Sequence, residues 1–279
     1  MTRKLQFGLL LVALAASPAS GGESTRTPFA TLLTPRTDTP LVWVVDGAGD
    51  LRGCSKALAS ANTLAGNLVE LSVFAWSHGY GRLLLDQIDL PHARTQGTKL
   101  ACKILERQKL EPGRRIVLVA HSAGCAVALA AGDALPPDSI DRIILLAPSV
   151  STGYDIRPTL RAAREGVDVF CSKKDWVALG FVTRVVGTTD KFLAAAAGRH
   201  GFRMNGAESE GTRLRQHFWT AELARTGHTG GHHGVHAPAF IHAHLFPMFG
   251  VQIPTDGPRV SPAAPAMSVR TEYRPYVGR

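Results

Sequence analysis

Ser122 lies in Ala120-His121-Ser122-Ala123-Gly124, between an apolar run from Ile116 to Ala120 and a small-residue stretch from Ala123 to Ala131. The run reads as a buried strand and the stretch as a helix packed close to a sheet. A tight strand-to-helix turn needs small residues two before and two after the turning residue, because a side chain there would strike the strand or the helix. Such a turn lifts the Ser hydroxyl clear of the sheet and aims the next backbone N–H at the same space. A hydroxyl so placed becomes a nucleophile when an imidazole takes its proton and a carboxylate orients that imidazole. The sequence offers both partner types. Asp175 follows the run Val167 to Cys171, Asp155 follows the run ending near Ala147, and Thr226 to His236 holds His228, His232, His233 and His236.

The elements that must position these groups alternate. Strands are expected at Leu41–Val45, Leu68–Trp76, Ile116–Ala120, Ile140–Ala147 and Val167–Cys171, with helices at Leu51–Asn62, His92–Lys109, Ala123–Ala131 and Arg157–Glu165. The pattern of Arg213 to Leu223 fits a strand or a short helix, and a final helix is expected from Pro238 to Phe246. This alternation predicts an α/β fold with a mostly parallel β-sheet flanked by helices. Two Gly-bearing loops, Asp46-Gly47-Ala48-Gly49 and Ser77-His78-Gly79-Tyr80-Gly81, should emerge at the carboxyl edge of that sheet, where open α/β sheets hold ligands. His78 and Tyr80 are expected to line a pocket there. The stretch Gly187 to Gly211 is long for a connector, and loops of that length are usually functional or mobile.

These features together resemble the α/β-hydrolase family over roughly residues 40–250. The resemblance rests on the Gly-x-Ser-x-Gly turn, with Ala120 in place of the first Gly, and on the βα alternation. It rests also on a late Gly-His pair, Gly231-His232, and on the chain order Ser122, Asp175, His232. It implies Ser122 as nucleophile, Asp175 as acid with Asp155 the alternative, and His232 as base, with His228, His233 and His236 competing for that role. It implies an oxyanion hole from the amides of Ala123 and Ala48, with Gly49 as runner-up and Asp46 standing where the family usually has His. Many relatives insert a lid between the strands that correspond to those ending near Ala147 and starting near Val167; here the link is short, and no large cap domain is expected. The implied activity is hydrolysis of an ester-type bond through an acyl-enzyme, by a carboxylic ester hydrolase. The alternative is a non-catalytic binding protein of the same fold.

Length and composition set the remaining expectations. The 279 residues suffice for one good core. A hydrophobic content of 45% with 19% charged residues is that of a globular chain. The net charge of +9 is spread along the chain without a basic block, so nucleic-acid binding is not expected; the partner that the resemblance implies is a small-molecule or lipid acyl substrate. Arg3 and Lys4, the apolar run Phe7 to Ala16 and Ser17-Pro18-Ala19 form the pattern of a secretory signal peptide. It predicts an exported protein with no stable membrane span in the mature form. The expected organisation is a signal peptide at 1–24, a leader at 25–40, the hydrolase domain at 41–250 and a Pro-rich disordered tail at 251–279. Of four cysteines, Cys125 and Cys171 should be small buried hydrophobes, while Cys54 and Cys102 are the expected bridge. His232 and His236 are four apart, but a Gly-rich spacing fixes no helical face and no Cys or carboxylate pattern completes a ligand set. Neither a metal nor a cofactor is expected.

Overall fold

In the computed structural model, Leu41–Val45 forms the first strand, β1, and all five of its residues are buried. The residues described are 38–175, 188–191, 194–203, 213–252 and 270–271; the expected signal peptide and nearly all of the leader lie outside them. The elements run α1 (Gly53–Leu64), β2 (Glu70–Val73), α2 (Leu83–Ile88), α3 (Leu90–Leu110), β3 (Ile116–His121) and α4 (Gly124–Ala134). They continue with β4 (Arg142–Leu146), α5 (Arg157–Ala162), β5 (Val167–Cys171), β6 (Leu214–Phe218) and, at Arg270–Thr271, β7. Every pairing is parallel, in the order β6-β5-β4-β3-β1-β2-β7. The two residues of β7 pair with β2 from within the segment read in sequence as tail.

Side chains alternate across the sheet as the strand period requires. Leu41, Trp43, Val45, Ile116, Leu118, Ala120, Ile143 and Leu145 face one core with α3, α4 and α5. Val42, Val44, Val117, Val119, Ile144 and Leu146 face the other, with α1 and the segment Phe240 to Phe249. Burial on both faces explains why these strands are near-continuous apolar runs. Gly97 of α3 lets that helix approach α4, since a Cβ there would lie 2.5 Å from the Ala130 Cβ.

This layering overturns one expectation. Cys54 lies on α1 in one core, Cys102 is exposed on α3 on the other face, and all four cysteines are free. The sheet stands between the two helices that were expected to be bridged. The expected last helix is broken: Pro238–Phe240 is one α-turn, Ile241–Leu245 is π-helical and Pro247–Phe249 is 3-10. The link between β4 and β5 carries only α5 among the described residues. No helix among them is long and apolar enough to cross a membrane.

Candidate active site

The chain leaves β1 toward β2 on one side and returns to β3 on the other, so the loops after β1 and β3 diverge. In a parallel sheet this opens a crevice at the carboxyl ends of those two strands. Ser122 stands there, on the turn from β3 to α4. Its φ is +54°, a left-handed conformation that costs a non-glycine residue about 1–3 kcal/mol unless its surroundings fix it. Backbone bonds fix it: the Ser122 N–H donates to the Leu146 carbonyl at 3.0 Å, and its own carbonyl accepts from the N–H groups of Cys125 and Ser149, both at 3.1 Å. Gly124 is obligatory, because a Cβ there would lie 2.2 Å from the Asp46 carbonyl oxygen and 2.9 Å from that of Val45.

The His232 ring lies between Ser122 and Asp175. Its Nε2 is 2.9 Å from Ser122 Oγ and its Nδ1 2.6 Å from Asp175 Oδ2. Asp175 follows β5 and is buried. The loop carrying His232 is tied to the Asp175 loop by the Ser172 hydroxyl, which donates to the Gly230 carbonyl at 2.6 Å. The Lys174 ammonium rests 3.7 Å from the Trp219 ring centroid, and the Trp219 indole N–H donates to the His228 carbonyl at 2.6 Å.

Ser122 on a positive-φ strand-to-helix turn, and an all-parallel sheet whose order reverses beside it, decide the fold. The chain has the α/β-hydrolase fold. No protein-family model and no curated protein sequence matches it. Among solved structures it is similar to an uncharacterized protein from Bacillus cereus ATCC 10987, at 12% identity and a TM-score of 0.42 over 67% of this chain and 54% of that one. It is similar to lipase B of Aspergillus fumigatus, at 11% identity and 0.44, over 80% and 55%. A poly(3-hydroxybutyrate) depolymerase from Bordetella parapertussis gives 12% and 0.45, over 79% and 83%. The chain spans about half the length of the first two.

The other sequence candidates sit elsewhere. Asp155 is exposed and paired with Arg157 at 2.7 Å. The His228 ring is buried against Phe240, its Nδ1 accepts from the Gly230 N–H at 3.2 Å, and burial brings its pKa down to about 4. It shapes the Gly turn that presents His232. Tyr80 is exposed, and His78 stacks on His92 at 3.8 Å between ring centroids.

The loop after β1 lies directly over Ser122: a Cβ on Gly47 would be 3.2 Å from the Ser122 Cβ. The runner-up donor is committed elsewhere, since the Gly49 N–H donates to Asp86 Oδ2 at 2.7 Å. The amides of Ala123 and Ala48 have no backbone acceptor among the described residues. Asp46, in the slot where the family usually has His, faces α1 and accepts from the Ser55 N–H at 3.0 Å; burial raises its pKa against that bond.

Two residues escaped the sequence reading. Asp86 is fully buried on α2 and takes donors from three places: the Gly49 N–H, the Ser77 hydroxyl at 2.5 Å and the His78 N–H at 2.9 Å. It anchors both Gly loops. His121, the last residue of β3, follows Val117 and Val119 on the strand period. It is therefore turned to the core of α1 and the Gly234–His236 turn. Its Nε2 reaches the His232 carbonyl at 3.2 Å. The alternation was the signal that could have found it. Burial, with the neighbouring imidazoles, holds its pKa well below the ordinary histidine value.

Proposed function

We propose that this protein is a serine hydrolase of carboxylic esters, with Ser122 as nucleophile, His232 as general base and Asp175 as the orienting acid. The observation that carries the reading is the line Ser122 Oγ to His232 Nε2 to His232 Nδ1 to Asp175 Oδ2, at 2.9 and 2.6 Å, starting from a Ser at positive φ. His232 takes the hydroxyl proton as Oγ attacks the ester carbonyl. The imidazolium formed is stabilised by Asp175, which keeps Nδ1 protonated throughout. The developing oxyanion accepts from the Ala123 and Ala48 amides. Its collapse breaks the C–O bond, and His232 gives its proton to the leaving alkoxide. Water then attacks the acyl-Ser122 ester by the same exchange, returning a carboxylic acid and free enzyme. Each oxyanion donor contributes about 3–4 kcal/mol in sites of this kind.

The mouth supports an acyl substrate with an apolar part. Leu83, Leu84, Leu85 and Ile88 of α2 and Leu51 expose large apolar surface. Leu83 touches the oxyanion loop, where a Cβ on Gly49 would lie 2.8 Å from its Cδ2.

The test pairs turnover with labelling. Purified Ser122→Ala is expected to lose hydrolysis of p-nitrophenyl acyl esters while keeping its circular dichroism spectrum. A fluorophosphonate should label the parent on Ser122 alone. Retained hydrolysis by the pure variant would falsify the assignment. A folded parent that resists the probe and hydrolyses nothing in an ester and peptide panel would leave the non-catalytic binding protein as the reading.

A further inference from the structure

His121, His233 and His236 come from two separate stretches of chain, the end of β3 and the loop after His232. A ligand nitrogen from each lies within 4.8 Å of the others. Their ring centroids are 4.6 Å (His121 to His236), 5.3 Å (His233 to His236) and 5.7 Å (His121 to His233) apart. The burial is graded: His121 is buried, His236 partly so, and His233 is exposed. His236 Nε2 is buried and has no hydrogen-bond partner among the described residues. A buried imidazole nitrogen without a partner costs free energy unless something else occupies its lone pair or its proton. Packing leaves His236 little freedom to turn away, since a Cβ on Gly53 of α1 would lie 3.1 Å from its Cε1.

We propose that these three histidines form a site for a divalent transition-metal ion of the Zn2+ type, clipping the loop that bears His232 to the strand that presents Ser122. Neutral imidazole suits such ions, and three imidazoles leave a fourth position of a tetrahedron for water. Nitrogens held at about 2.0–2.1 Å from a tetrahedral ion stand about 3.4 Å apart. The nitrogens now lie within 4.8 Å of one another, so an ion has to draw them closer together, and the exposed His233 gives it its way in. The role assigned is positional. His121 immediately precedes Ser122, and His233 immediately follows His232, so the ion ties the two functional residues through their backbones and touches neither side chain. Its existence does not depend on the ester-hydrolase reading.

The experiment uses the full chain, stripped with chelator and titrated with Zn2+ by calorimetry, and with Co2+ followed by its visible absorption. One ion per chain is expected. Loss of a hydrogen-bonded outer partner of a metal ligand already changes affinity about 10–100-fold, so His233→Ala and His236→Ala should each weaken binding by at least about 100-fold. His232→Ala and His242→Gln should bind as the parent does. Hydrogen exchange across residues 228–237 should slow when Zn2+ is added to the parent and not when it is added to His233→Ala. Absence of saturable binding in the micromolar range would overturn the proposal. So would parental affinity in both ligand variants, or loss of binding in His232→Ala. If His236→Ala does not fold, the exposed His233→Ala decides alone.

Discussion

Gly124 has no room for a methyl group: its Cβ would meet the Asp46 carbonyl at 2.2 Å, so α4 begins against the end of β1. Gly124→Ala must push β1 and α4 apart at the point where the loop crosses Ser122. Overpacking of this kind costs about 1–3 kcal/mol. The same shift carries the Ala48 amide away from the carbonyl it is proposed to bind. Gly124→Ala is therefore expected to lower the urea midpoint and kcat together; parental values for both would show that the turn tolerates the side chain and that the approach is not tight. The need for a small residue here was legible in the sequence, because it follows from the geometry of a strand-to-helix turn. The choice among His228, His232, His233 and His236 was not, because a Gly-rich loop has no periodicity from which side-chain directions follow. Packing separates them: His228 against Phe240, His236 against Gly53, and His232 between Ser122 and Asp175.

The strands were legible as elements because burial on both faces makes each an apolar run, and β1 and β5 fall where those runs do. The short helix α2 was not. Leu-Leu-Leu-Asp-Gln-Ile has too few residues to show a helical period, and it turns leucines outward while burying Asp86 and Gln87. That inversion serves the Gly loops, whose donors converge on the one carboxylate. Asp86→Asn keeps the shape but replaces one acceptor oxygen by an N–H2 group, which must face a buried donor. An unsatisfied buried donor costs about 1–3 kcal/mol. The variant is expected to lose about that much stability and to phosphonylate Ser122 more slowly, because the loop carrying Ala48 is no longer held through Gly49. A labelling rate equal to the parent's, with stability reduced, would confine Asp86 to a structural role. The Cys54–Cys102 expectation failed at this same scale: residue spacing carries no information about which face of a sheet a helix covers.

At the scale of the whole molecule, one network of paired charges lies at the amino ends of the strands, at the opposite end of the sheet from Ser122. There Glu165 pairs with Arg115 and Arg142, and Asp168 with Arg142, Arg215 and His217, joining β4, β5 and β6 to the start of β3. Hydrogen bonds from Arg115 bring the Glu165 pKa from its ordinary 4.5 down to about 2, although partial burial opposes them. Burial alone would raise Asp168, but hydrogen bonds from His217 and Arg215 and the charges of Arg215 and Arg142 hold it well below the carboxylate range. A carboxylate whose folded pKa is depressed contributes stability above its unfolded pKa and loses it as pH falls through the folded value. Asp46 works in the other sense: burial raises its pKa, so acid relieves a cost there. Asp133, also raised by burial, acts in the same sense as Asp46, but the larger depressions of Glu165 and Asp168 make the net carboxylate contribution acid-labile. The urea midpoint is expected to fall already as pH drops below about 6.5, where His121, His228 and His236, kept neutral by burial, take up protons only in the unfolded chain, and to fall further between about pH 4.5 and about pH 2 as the paired carboxylates protonate. Glu165→Gln removes one of the two depressed groups, so its midpoint should start lower and fall less steeply over the same interval. Parallel curves for parent and variant would mean that this network is screened by solvent and that acid acts elsewhere in the molecule.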